Sequence, residues 1–160
     1  MTQRPIAFLS YGFRPFFLFA GIYAVIGMAA WMAWFGLGYA PSTDFPPGLW
    51  HAHGMLFGYA TAALAGFLLT AAPSWTGAGP VQGGPLALLA GVWTAGRAAV
   101  WFSAFLPPVL VAAVDLAFPA LLFAFMIRTL TGGSARHIIF LVVLALLFTA
   151  NGMVHWERLG

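Results

Sequence analysis

Four histidines, six methionines and no cysteine set the chemistry open to this 160-residue chain. Without thiols there are no disulfides, no thiolate metal sites, no iron–sulfur ligation and no thioether-linked haem. Imidazole and thioether remain as ligands. His51 and His53 are two residues apart, about 200° around a helix, so they cannot both address one small ion on a regular helix. His51 lies on a stripe of small residues, Gly54, Gly58, Ala62 and Ala65. Such a stripe admits a neighbouring helix or leaves room for a flat macrocycle. His53 stands above Phe57 and Thr61, and Met55 lies one turn below His51. Near the other end of the chain, Asn151 and His155 are four residues apart on one helix face, with Gly152 between them. An amide there can orient a histidine ligand or bond a bound diatomic. No nucleophile motif, general acid–base pair or phosphate loop accompanies these residues, and no Walker or Rossmann glycine pattern points to a nucleotide.

The elements that hold these groups must be membrane spans. Hydrophobic residues make up 62% of the chain and charged residues 6%, whereas a soluble domain carries about a quarter charged residues. That composition excludes a soluble domain, a disordered chain and a nucleic-acid-binding protein. The net charge of +3 rests on six arginines. In a membrane protein such a sign reports orientation. A spanning helix takes about 20 mostly apolar residues, and five stretches qualify: 16–38, 50–72, 85–106, 109–130 and 138–156. Pro41, Pro46 and Pro47, then Pro73 to Pro80, then Pro107-Pro108, and finally Thr131-Gly132-Gly133-Ser134 separate them. The first stretch is too long for the core of a signal peptide, about 7–15 residues, and reads as an anchor. The fold class is therefore an all-α membrane bundle in a single domain spanning residues 1–160.

With the N-terminus cytoplasmic, Arg4, Arg14, Arg128 and Arg136 fall inside and only Arg158 outside, which is the positive-inside pattern. This topology carries His51, His53 and His155 to the outer face and His137 to the cytoplasmic face, where it reads as interfacial. His51 and His155, on small-residue faces at one membrane side, are the leading ligand candidates, with His53 as the alternate. Two charges sit inside spans, Arg97 and Asp115. Each costs about 2.5–3.5 kcal/mol to insert near the bilayer centre. Across the Pro107-Pro108 turn their depths differ by about 5 Å, so they read as an ion pair. Arg97 is also placed to meet an anionic cofactor group, and Asp115 to move protons.

Several blocks resemble the NnrS family of bacterial membrane proteins: Gly12-Phe13-Arg14-Pro15-Phe16-Phe17, Trp50-His51-Ala52-His53-Gly54-Met55-Leu56-Phe57-Gly58, Gly66 through Gly77, the Gly96-Arg97 step, Asp115 and Asn151-Gly152-Met153-Val154-His155. Two features depart from the pattern. Family members are usually longer, so the chain resembles only their first part, and Gly54 stands where an acidic residue often follows the second histidine. The resemblance implies a multi-pass protein of the bacterial inner membrane, associated with haem and copper and linked to nitric oxide and nitrosative stress. On this reading the bundle binds haem b near its outer face through His51 and His155, with His53 as the alternate axial ligand and Arg97, Asn151 and Met55 nearby. A copper site built from His51, His53 and His155 with Met55 or Met153 is the alternative, as is a structural or transport subunit without a cofactor. The small interior of five helices suggests a homo-oligomer in the lipid.

Overall fold

The computed structural model describes residues 7–131 and 134–160. Arg4 and the Gly132-Gly133 step lie outside the described residues, as does the side chain of Arg136. Among the described residues there are no strands, and five long helices carry the chain: α1 (Phe13–Leu37), α2 (Pro47–Thr76), α3 (Gly84–Trp101), α4 (Pro108–Leu130) and α5 (Ile139–Leu159). They coincide with the five apolar stretches to within a few residues. Four of them, α1, α2, α4 and α5, are long and apolar enough to cross a membrane. The third, α3, is the shortest at 18 residues and carries Arg97 at a buried position.

The helix ends follow local chemistry. Gly38 and Gly77 close α1 and α2 in the left-handed conformation (φ 76° and 73°), which costs a residue without a Cβ little. Prolines sit in the first turns of α2, α3 and α4, where their missing N–H has no helical acceptor to lose. Within α2 the hydrogen-bonding pattern widens to a π-turn over Gly54–Ala60, directly after His53. Glycines at 54 and 58 admit the phenol of Tyr23 from α1. A Cβ at Gly54 would lie 2.8 Å from the Tyr23 oxygen, and one at Gly58 2.8 Å from its ring.

The main core draws on all five helices and includes Phe16, Leu68, Leu69, Leu86, Leu89, Phe118, Leu122, Met126 and Leu144. A second cluster at one end joins Phe45, Trp50, Ala99, Val100 and Val111, with Trp31, Trp34 and Trp101 packed against it. α3 packs on α4, and α4 on α5. At Gly96 a Cβ would come within 3.2 Å of the Asp115 backbone, so the absent side chain lets α3 and α4 approach where the two buried charges meet.

Candidate functional site

Asp115 is the hub of the site. It is fully buried (0% exposed) on α4, where an unpaired carboxylate would be heavily penalised. Arg97 of α3 pairs with its Oδ1 through Nη2, so the ion pair read from the sequence is formed. Its Oδ2 accepts two hydrogen bonds and has a third nitrogen close by. Asn151 Nδ2 donates at 2.8 Å and His155 Nε2 at 2.9 Å, both from α5. His53 Nε2 of α2 lies 3.2 Å away and donates to Asn151 Oδ1 at 2.8 Å. Four helices thus converge on one carboxylate. His53, Asp115 and His155 each offer a ligand atom, and these atoms lie within 4.8 Å of one another.

The convergence has local causes. The four-residue step from Asn151 to His155 places both on the same face of α5. His53 ends the regular first turns of α2, and its ring packs on Phe57, with centroids 5.0 Å apart. Above the cluster, Phe45 covers both imidazoles, 5.3 Å from the His53 ring and 6.0 Å from that of His155. The loop carrying Phe45 is pinned at two points. The Asp44 carboxylate takes Arg158 Nη2 at 2.5 Å, and Ser103 Oγ accepts the Asp44 N–H at 3.1 Å. The Arg158 guanidinium lies 3.5 Å from the Phe45 ring centre. For Asp44, burial raises the pKa, but the Ser103 hydroxyl and Arg158 outweigh it and hold the carboxyl below its ordinary value.

Of the residues singled out from the sequence, His53, His155, Asn151 and Arg97 come together at Asp115. His51 does not join them. Its ring stacks on Trp31 of α1 at 4.7 Å and 20°. Met55 packs against α1 instead, its methyl 3.2 Å from where a Gly27 Cβ would be, and Met153 is exposed. The smooth face of α2 at Gly54 and Gly58 is occupied by Tyr23 and Arg97, so of its two possible uses it serves close approach. His137, just before α5, is buried and stacks on Trp75 at 4.8 Å.

The donor set fits an ion better than a macrocycle. The His53 and His155 rings are 5.5 Å apart and nearly perpendicular, and both Nε2 atoms face one carboxylate. A haem takes its axial ligands on opposite faces of a flat ring, and these two imidazoles leave no sheet-like space between them. Asp115, which sequence reasoning treated only as a partner of Arg97 or a proton carrier, is the residue that gathers the site. An acidic residue inside a span was its signal. Tyr23 carried no such signal.

No curated protein and no solved structure matches this chain. A family model described as NnrS protein matches residues 7–160, and the chain therefore belongs to the NnrS family.

Proposed function

We propose that this NnrS-family membrane protein binds a single transition-metal ion, copper, through His53, His155 and Asp115, in the nitrosative-stress setting that the family resemblance suggests. One observation carries the reading: ligand atoms from three different helices lie buried within 4.8 Å of one another. Imidazole suits copper. Arg97 balances the carboxylate charge and keeps Asp115 in place. Copper there would supply one-electron chemistry and affinity for a diatomic such as nitric oxide. The chain's own residues prepare the place. Arg97 holds Oδ1 of Asp115 and leaves Oδ2 facing the two imidazoles. Asn151 bonds Oδ2 of Asp115 and Nε2 of His53 and so holds both toward one centre, where an ion would take the place of its bond to His53. Phe45 excludes water from above.

Haem b, which the family resemblance implies, would need His51 as its single imidazole, because His53 and His155 both face Asp115. Both readings are tested on the chain purified in lipid nanodiscs, by metal analysis and an optical spectrum with and without nitric oxide. One copper per chain, lost in His53→Ala and in His155→Ala but retained in His51→Ala, is the expected result. A Soret band that survives both of those changes and disappears in His51→Ala would replace the copper reading with the haem one. Wild-type protein with neither copper nor haem after loading would overturn both.

A further inference from the structure

The π-turn of α2 changes what the upper half of that helix presents. The lower half buries Ala62, Ala65, Leu69 and Ala72. Continued upward from them as regular helix, α2 would turn His51 inward, about 40° from the direction of Ala65, and His53 outward, about 120° from it. The structure has the reverse. His53 is 1% exposed and Trp50 2%, whereas His51 is half-buried. A register moved by one residue accounts for both. The hydrogen bonds of a π-turn span five residues instead of four, so Gly54–Ala60 takes up one residue more than regular helix would. Everything above it is rotated by about 100°. His53 then stands where Gly54 would stand in an unbroken helix, about 20° from the direction of Ala65.

The turn is held largely from outside α2. Tyr23 of α1 is wedged against it, its hydroxyl at Gly54 and its ring at Gly58, each 2.8 Å from where a Cβ would be. Trp101 Nε1 fixes that hydroxyl by donating to it at 3.1 Å. Trp93 of α3 donates through Nε1 to the Gly58 carbonyl at 3.1 Å, and Thr61 Oγ1 to the Phe57 carbonyl at 2.5 Å, so side chains meet backbone acceptors that the widened turn presents. We infer that Tyr23 is a positioning residue for the buried site: by wedging the π-turn open it sets the register that brings His53, rather than Gly54, to Asp115. The inference rests on the metal reading only for the use to which His53 is put. Without the wedge, the upper half relaxes to regular helix, turns by about 100° and moves by about 1.5 Å. Gly54, which offers no ligand atom, takes the place of the imidazole, and ligands from two helices remain instead of three.

The test is a deletion. Removing one residue from a regular helix rotates everything above it by about 100°. Removing Leu56, an exposed residue inside the π-turn, should instead make α2 regular throughout and leave both halves where they are. The readout is the solid-state NMR cross-peak between the His53 imidazole nitrogen and the Asp115 carboxylate carbon, taken on the metal-free full chain in lipid. Copper content after loading is measured in parallel. Wild type and the Leu56 deletion should show the same cross-peak and the same copper content. Tyr23→Ala should lose the cross-peak and the copper with it. Adding the Leu56 deletion to Tyr23→Ala should restore both, which a general loss of packing would not allow. Any of three results overturns the inference: a Leu56 deletion that fails to fold or loses the cross-peak, Tyr23→Ala that keeps it, or a double variant that does not regain it. The expected cross-peaks in a chain that takes up no copper would uphold the register assignment and sink the metal reading alone.

Discussion

At the scale of single residues the protein concentrates its polar chemistry on one carboxylate. The Arg97–Asp115 pair was legible because both charges lie in otherwise apolar stretches and face each other across a two-proline turn. The choice between His51 and His53 was not. Two positions 200° apart on a helix tell which residues differ in direction, about, but not which direction is inward. Inwardness here depends on Asp115 and on Trp31, whose stacking holds His51 away. Breaking the ion pair should be severe. Arg97→Met leaves a buried, unpaired carboxylate and is expected to cost about 3–5 kcal/mol. Adding Asp115→Leu should recover only part of this, because His155 and Asn151 then lose their acceptor. Unfolding in mixed detergent micelles measures both. At the rim, Asp44 supplies a pH effect of definite sign. Its carboxyl is held below its ordinary value in the fold, so its contribution is complete above that ordinary value and is lost as pH falls through the lowered one. A melting temperature that declines at acid pH in wild type, with a smaller decline in Asp44→Asn, is expected. Identical profiles would remove Asp44 from the account.

At the scale of elements, apolar length and proline placement were enough to find the five helices, four of which are long and apolar enough to satisfy their backbone internally in lipid. The π-turn of α2 was not legible. Nothing in Gly54–Ala60 distinguishes it from ordinary helix until Tyr23 and Arg97 are seen pressing on Gly58. A small-residue stripe signals close approach without naming what approaches. Glycine substitutions separate the two kinds of smooth face. Gly58→Ala would set a Cβ 2.8 Å from Tyr23 and 3.1 Å from Arg97, and should destabilise by about 1–3 kcal/mol through overpacking. Gly152→Ala meets nothing within 4 Å and should be neutral or slightly stabilising, since alanine favours helix over glycine by about 1 kcal/mol. A pair of detergent-unfolding curves decides it, and equal effects at the two positions would mean that the stripe on α2 is not a contact.

At the scale of the whole molecule, His53 and His155 are far apart in sequence yet hydrogen-bond to one carboxylate network, as an up-and-down bundle requires. The tryptophan-rich end, with Trp31, Trp34, Trp50 and Trp101, is also the end that carries the cluster. On the orientation that arginine placement predicts, that end is external. Reporter fusions after Gly160 and in the turn between α4 and α5 should then report opposite faces, the first external. The same face for both would require one helix fewer across the membrane. The outward surfaces of α1 and α5 remain apolar, with Val25, Phe35, Leu146 and Trp156 among the most exposed side chains, as lipid or neighbouring helices demand.

The clasp of Asp44 on Arg158, with Phe45 beneath it, also bears on time. It ties the first loop to the last turn of α5 over the imidazoles, so an ion bound as proposed would meet a closed door on its way from the aqueous side. Loading and release should both be slow, and slow for the same reason. Salt screens an exposed pair, and Arg158→Ala removes it. Either change should hasten both rates alike while leaving the ratio between them, and hence the affinity, where it was.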